Sequence, residues 1–184
     1  MSEDKLQKLQ DSGLVDWAVF SEIVTMDEDE EGFSKSLVEV FVSQVEETFE
    51  EIDKYLKEKN LEKLSSSGHF LKGSAAALGL TKISNQCERI QNYGHKINFD
   101  NFQLEDIKTK GDSAVSAENV AVNDGETNPE NGSNGNETSN NKTNTSNIPD
   151  ESSDDFWIAL IEDALAKARD GFDQSRRALD EYYE

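Results

Sequence analysis

The sequence predicts an all-α protein, an antiparallel four-helix bundle with a short extra N-terminal helix and a long disordered insertion before the last helix. Proline occurs only 2 times in 184 residues, and Leu, Ala, Glu and Lys are dense outside one segment. In those parts apolar residues recur every three or four positions, the period of a helix with one buried face. Short connections between these stretches favour antiparallel neighbours.

One segment, from about Lys108 to Ser153, departs from this pattern. It is rich in Asn, Ser, Thr, Gly, Asp and Glu and has almost no large apolar residues. Such a composition buries too little apolar surface to offset the entropy lost on folding. We therefore interpret 108–153 as a disordered insertion within a single domain that spans 1–184.

The first two predicted helices lie at the N-terminal side. A short helix follows Asp16, a candidate N-cap, and carries Trp17, Phe20 and Ile23 at helical spacing. An acidic run at 27–31 precedes a long helix, where carboxylates favour the positive end of the helix dipole. The apolar stripe of that long helix is Val38, Phe41, Val45, Phe49, Ile52 and Leu56.

Three more helices complete the predicted bundle. Gly79 fits the end of the third helix and Thr81 the cap of the fourth. The seam of the third helix is Leu61, Leu64, Gly68, Leu71, Ala75 and Leu78. The seam of the fourth is Ile83, Cys87, Ile90, Gly94 and Ile97. The last helix shows Ile161, Leu165, Ala168, Phe172, Ser175, Leu179 and Tyr182.

The charge balance and the composition exclude several classes of partner. With 39 acidic and 18 basic residues, the net charge of −21 argues against nucleic acid and anionic membranes. No apolar run approaches the roughly 18 residues of a membrane span, and the start has no apolar signal region, so we expect an intracellular protein. One cysteine and two histidines offer neither an internal disulfide nor zinc-ligand spacing.

The most informative motif begins at His69 and reads H-F-L-K-G-S-A-A-A-L-G-L. His69 follows the seam residue Gly68, so its side chain is turned about 100° away from the core. Lys72 and Gly73 lie one turn further on the same face, and Gly73 places no side chain in the way of an approaching partner.

The next helix adds a fourth group to this face. Gln91 follows the seam residue Ile90, and His69 and Gln91 each lie about eleven residues from Leu80 at the turn. In an antiparallel pair they should therefore sit side by side, at matching heights. His95 continues the face one turn beyond Gln91, and Arg89 and Lys96 lie nearby in the sequence.

These groups suit phosphoryl transfer. A neutral imidazole can attack an acyl-phosphate phosphorus, Lys72 can offset the phosphoryl charge, and Gln91 can hydrogen-bond the ring or the phosphate. The sequence shows no phosphate-cradling glycine loop and no paired metal-binding carboxylates. We therefore expect no ATP site, no bound metal or cofactor and no autonomous enzyme activity; a partner must bring the phosphate and its Mg²⁺.

At these residues the sequence resembles the histidine-containing phosphotransfer domains of multistep phosphorelays, in particular the free-standing intermediate of fungi. H-F-L-K-G-S is followed by A-A-L-G-L and C-E-R-I-Q-N; the similarity covers Trp17–Ile97 and resumes in the last helix. The resemblance implies that His69 accepts the phosphoryl group, that Lys72 and Gly73 support it, and that Gln91 lies beside the phosphohistidine.

The resemblance also implies partners and a location. The family accepts phosphate from the receiver domain of a hybrid sensor histidine kinase and passes it to response-regulator receivers, in osmotic- or oxidative-stress-type signalling. We expect a monomer in the cytoplasm and nucleus. At the position of His95 the family often has a basic residue.

The family's receiver-docking surface would fall on Val19, Ile23, Leu37, Val40, Gln44 and Phe70, next to Gly73. Leu37 and Val40 lie off the core stripe of their helix, which favours a contact surface. The alternative for Val19, Ile23 and Leu37 is that they hold the first helix against the bundle.

Two other functions stay open at this point. One is a helical adaptor that binds receiver domains without covalent chemistry at His69. The other is a di-iron carboxylate enzyme, which needs Glu-x-x-His on paired helices. Neither Glu62 nor Glu88 stands three residues before a histidine, so the sequence disfavours the enzyme.

Overall fold

The computed structural model describes residues 3–108 and 150–184, and these residues form helices and loops without a β-strand. The helices are α1 Glu3–Asp11, α2 Trp17–Thr25, α3 Phe33–Lys57, α4 Leu61–Ala77, α5 Thr81–Gly94, α6 Leu104–Lys108 and α7 Asp154–Tyr183, with one 3₁₀ turn at Met26–Glu28. Within the described ranges, no helix has the length and apolarity needed to cross a membrane.

The four long helices α3, α4, α5 and α7 form the predicted antiparallel bundle. The most extensive contacts join α4 to α5, then α5 to α7 and α3 to α4, and α3 also touches α7. Their direction is visible at both ends of the α5–α7 pair: Lys82 contacts Gln174, whereas Lys96 pairs with Asp154. The all-α bundle predicted from the sequence is confirmed.

The predicted disordered insertion falls mainly on residues 109–149, which lie outside the described residues. Its C-terminal edge is described and belongs to the start of α7. The Ser153 hydroxyl accepts a hydrogen bond from the Asp155 amide at 3.2 Å, and the Trp157 indole donates to the Glu151 carbonyl at 3.0 Å. Residues 151–153 therefore form the turn that caps α7.

The N-terminal region contains two helices where the sequence predicted one. The predicted helix is α2, and the Asp16 carboxylate caps it by accepting from the Ala18 amide at 3.0 Å. The additional helix α1 packs against α7 through the buried Leu9. Only Leu6 and Leu9 mark its apolar face, which is too few residues for a periodicity to be recognised.

The fourth predicted seam was wrong at its last residue. Helix α5 ends at Gly94, Lys96 has the left-handed φ of 60°, and Ile97 is 49% exposed. The Ile97 amide donates to the Asn92 carbonyl at 2.9 Å, the bond that closes a helix C-terminus. The apolar spacing of a helix continues to Ile97 in the sequence, but the helical backbone ends at Gly94.

The core otherwise follows the predicted stripes. In α3 and α4 the inner positions are buried, with Leu56 and Leu61 half-buried at the helix ends. The remaining seams are buried as predicted at Ile83, Cys87, Ile90, Gly94, Ile161, Leu165, Ala168, Phe172, Ser175, Leu179 and Tyr182.

Two glycines let α4 and α5 approach each other closely. A Cβ atom on Gly68 would lie 2.7 Å from the Gln91 nitrogen and 2.8 Å from the Cys87 carbonyl oxygen. A Cβ on Gly94 would lie 2.7 Å from the Leu61 carbonyl oxygen. Such distances are shorter than any ordinary contact, so the two backbones meet where the side chains are missing.

Gly68→Ala is expected to lower the free energy of unfolding by about 1–3 kcal/mol, because the new methyl group forces α4 and α5 apart. Gly73→Ala in the same helix is the matched control, since no atom lies within 4 Å of its added Cβ. The control should gain up to about 1 kcal/mol through helix propensity. Urea unfolding measures both, and equal stability of the two variants would contradict the packing role of Gly68.

Candidate functional site

His69 projects into solvent from the middle of α4. It is exposed, while its neighbours Gly68 and Leu71 are buried against the bundle. Among the described residues, no side chain hydrogen-bonds or ion-pairs with its imidazole. Its ring nitrogens are therefore accessible to a reagent that another protein presents.

Lys72 and Gly73 lie one turn beyond His69, as the spacing predicts. The Lys72 ammonium is 3.2 Å from a Glu88 carboxylate oxygen on α5, and the two side chains are 34% and 44% exposed. Gly73 is exposed, and the space over its Cα is open. The face thus combines a cation that is only partly engaged with a gap in the side-chain layer.

Gln91 lies against the turn of α4 that carries His69. Its backbone nitrogen faces Gly68, and its carbonyl accepts a hydrogen bond from the Ser65 hydroxyl at 2.8 Å. These backbone contacts place Gln91 opposite the Ser65–Gly68 turn, the height predicted from equal distances to Leu80.

The side chain of Gln91 has an unusual feature. Its Oε1 atom is buried and has no hydrogen-bond partner among the described residues. A buried polar atom without a partner costs about 1–3 kcal/mol, so this oxygen has an unused capacity to accept a hydrogen bond. The amide can accept a hydrogen bond in this orientation, or donate one after rotating by 180°.

Cys87 lies beneath the site and has an unreactive thiol. It is fully buried beside Gly68, and burial raises the pKa of its thiol to about 12. The side chain is therefore a protonated, packed thiol, as its seam position predicts.

Arg89 is not part of this face, although the sequence places it nearby. It precedes the seam residue Ile90, so it points to the flank of α5 opposite Gln91. Its Nε donates to an Asp100 oxygen at 3.0 Å and its Nη1 to an Asp163 oxygen at 3.2 Å. The guanidinium also lies 4.4 Å from the centre of the Phe102 ring. Arg89 is buried and ties the loop after α5 to α7.

His95 and Lys96 stand at the C-terminal end of α5. His95 is the exposed C-cap residue. Lys96 reaches across to α7, where its ammonium is 2.7 Å from an Asp154 oxygen. Lys96 therefore belongs to the α5–α7 junction.

The predicted docking residues divide into exposed and buried members. Val40 is 54% exposed and Phe70 47%, and Leu37 and Gln44 are also exposed. Val19 is half-buried. Ile23 is only 9% exposed and belongs to the core, so the alternative of packing, not docking, describes Ile23.

The exposed members form one surface next to His69. Leu37, Val40 and Gln44 follow each other at helical spacing along α3. Phe70 on α4 lines a shallow groove together with Thr48 and Glu51, which continue that side of α3. We call Leu37, Val40 and Phe70 the apolar strip. It begins at Leu37 and Val40 on α3 and ends at Phe70, the residue that follows His69 on α4.

Sequence reasoning missed the exposure of one residue and the pairing of another. Met26 is 51% exposed at the end of α2, but as a single apolar residue before an acidic run it gave no periodic signal. Glu88 is the partner of Lys72. Its position opposite Lys72 could have been found from the same turn-counting that places Gln91 opposite His69.

Comparisons with known proteins identify the family. The Hpt domain family matches residues 36–121. The "Phosphorelay intermediate protein YPD1" of Saccharomyces cerevisiae is 35% identical over 94% of this chain and 95% of that protein. The "Multistep phosphorelay regulator 1" of Schizosaccharomyces pombe is 54% identical over 50% of this chain, but the match spans only 31% of that protein.

Solved structures are similar over nearly the whole chain. A crystal structure of yeast YPD1P has a TM-score of 0.65 and 30% identity, covering 92% of this chain and 94% of that one. Similar coverage, with a TM-score of 0.63 and 33% identity, is found for the Saccharomyces cerevisiae phosphotransfer protein Ypd1 in a co-crystal with the receiver domain of the response regulator Ssk1. The chain belongs to the Hpt family, the histidine-containing phosphotransfer proteins.

Proposed function

We propose that this chain is a phosphorelay intermediate in which His69 accepts a phosphoryl group from the receiver domain of a hybrid sensor histidine kinase. It then passes the group to the receiver domains of downstream response regulators. The observation that carries the proposal is the exposed imidazole, which no described residue engages, beside the open space at Gly73. The similar yeast protein that was crystallised with a receiver domain supports this class of partner.

The chemistry follows from the groups at the site. The lone pair of one imidazole nitrogen attacks the phosphorus of an aspartyl phosphate, the N–P bond forms, and the P–O bond to the aspartate breaks. The aspartate leaves as a carboxylate, and the second ring nitrogen releases its proton to solvent. In the onward step the second ring nitrogen takes a proton back from solvent, a receiver carboxylate attacks the same phosphorus, and the N–P bond breaks so that the imidazole leaves in its neutral form.

Lys72 and Gln91 stabilise charge and orientation in this proposal. The Lys72 ammonium can turn from Glu88 toward a phosphoryl oxygen, since both side chains are partly exposed and their ion pair is weak. The unpartnered amide of Gln91 lies beside the same turn and can hydrogen-bond the ring or the phosphoryl group.

The partner proteins supply the phosphoryl donor and the metal ion of the reaction. The chain is not an autonomous enzyme: ATP is consumed by the sensor kinase, and Mg²⁺ is held by the receiver domain. We further propose that the protein acts as a monomer in the cytoplasm and nucleus, and that Leu37, Val40, Gln44, Phe70 and Gly73, with the half-buried Val19, form the surface that receivers contact.

A non-phosphorylated adaptor is the second candidate, because the apolar strip suits binding with or without covalent chemistry. The two functions differ at His69 alone. An adaptor needs the strip but not the imidazole.

In the His69→Gln variant, we expect no transfer of radiolabelled phosphate from a phosphorylated receiver domain, because glutamine supplies no nucleophilic nitrogen lone pair. The wild type should take up a label that is lost in acid and survives in base, the signature of a phosphoramidate. His95→Gln is the matched control and should be labelled. Label on His69→Gln would disprove the assignment, and unchanged signalling by this variant in cells would favour the adaptor.

Lys72→Ala should still accept phosphate, at a rate about tenfold lower, which corresponds to about 1.4 kcal/mol of lost transition-state stabilisation. Lys72→Arg, which keeps the charge, should lose less. Single-turnover transfer measures all three proteins, with far-UV circular dichroism as the folding control. A wild-type rate in Lys72→Ala would exclude a role for the ammonium.

Gly73→Leu should weaken receiver binding by at least about tenfold, because the added side chain occupies the open space that the receiver must enter. Ala166→Leu on the exposed side of α7 is the control for an added leucine. Isothermal titration with a receiver domain measures binding, and thermal unfolding confirms that both variants fold. Equal affinities would place the contact surface elsewhere.

A further inference from the structure

A cavity lies away from the His69 face, between α1, the start of α5 and the end of α7. Its volume is about 570 Å³, within the range of about 300–1,000 Å³ for small-molecule sites. None of the residues assigned above to phosphoryl transfer or docking lines it. Nothing in the proposed relay function uses this cavity.

The inner wall of the cavity is apolar. Leu9 of α1, Leu14 of the α1–α2 connection and the ring of Tyr182 are buried residues that line it. Ala178, one turn before Tyr182, completes this wall. The wall can therefore hold a hydrocarbon or aromatic body and exclude water from it.

The rim of the cavity has the opposite charge balance to the chain. Four basic residues line it, namely Lys5, Lys8, Lys82 and Arg177, against two acidic residues, Glu181 and Glu184. The whole sequence contains fewer than half as many basic residues as acidic ones, 18 against 39. A local excess of positive charge on so acidic a protein selects an anion.

These cations are available to a ligand. The Lys82 ammonium hydrogen-bonds the neutral amide of Gln174, at 3.3 Å, and Lys5 has no hydrogen-bond partner among the described residues. Arg177 uses its Nε to donate to the Asp173 carbonyl at 3.1 Å, and no acidic side chain pairs with it among the described residues. Lys8 pairs with Glu181 at the surface, where both side chains are more than half exposed. Such exposed pairs are weak, so an incoming anion can replace Glu181.

We propose that this cavity binds a small amphiphilic organic anion. The apolar body lies against Leu9, Leu14 and Tyr182, and a phosphate, sulfate or carboxylate head contacts the basic rim. Because α1 forms one wall, the ligand holds α1 against α7. The Asp16 amide that follows the α1–α2 connection donates to the Gly79 carbonyl at 2.7 Å, so the segment also contacts the turn between α4 and α5.

Decyl phosphate, used below its micelle concentration at low ionic strength with the full chain, is a suitable probe. We expect one-to-one binding with a Kd at or below about 100 μM, and a higher melting temperature. Amide chemical shifts should change on α1 and on the C-terminal half of α7. Decanol, decyltrimethylammonium and inorganic phosphate each lack one required feature and should bind at least about tenfold more weakly.

The double variant Lys82→Gln/Arg177→Gln should weaken decyl phosphate binding by at least about tenfold, and both residues are exposed, so the fold should survive. Lys35→Gln/Lys57→Gln on α3 is the control with the same change in net charge. Several results would overturn the proposal: no saturable binding at about 1 mM, equal binding of decanol or inorganic phosphate, equal weakening in both double variants, or shift changes confined to the apolar strip.

Discussion

The close contact between α4 and α5 is the constraint on which the candidate site depends. Gly68 faces the backbone of Cys87 and Gln91, and Gly94 faces Leu61, so the two helices meet with almost no side chain between them at these points. Backbone contacts of this kind permit one register only, since a shift of one residue would bring a Cβ atom into the opposing backbone. The same register sets Gln91 beside the turn of His69 and Glu88 beside Lys72.

Gly68 and Gly73 lie in the same helix but serve different purposes. The difference is visible when the helix-propensity cost of each glycine is compared with the packing that it permits. Each costs about 1 kcal/mol of helix propensity relative to alanine. At Gly68 the cost is offset by the packing of α4 on α5, which a methyl group would disrupt. At Gly73 nothing in the fold offsets it, because the space above is empty and exposed. A local cost without a structural return points to a use outside the fold, which the proposed docking of a receiver domain at Gly73 would explain.

Much of this could be predicted from periodicity and from counting residues across a turn. The seams of the four long helices, the Asp16 cap and the position of Gln91 all follow from local rules. Tertiary context decided the rest. The family resemblance assigned Ile23 to the docking surface, yet Ile23 packs in the core. The backbone also leaves the helical conformation before Ile97. Helix α1 carries too short a pattern to be recognised and is stabilised by α7.

Arg89 is close to Gln91 in the sequence but does not belong to the His69 face. It stabilises the packing of the loop after α5 instead. Its buried guanidinium joins Asp100, in the loop after α5, to Asp163 on α7. Moving the loop away would deprive the buried guanidinium of one of its two carboxylate partners. The loop that leaves α5 is therefore held against the helix to which the chain returns. The helices α5 and α7 also pack directly against each other, so their contact is made by described residues on both sides of the segment between Lys108 and Asp150.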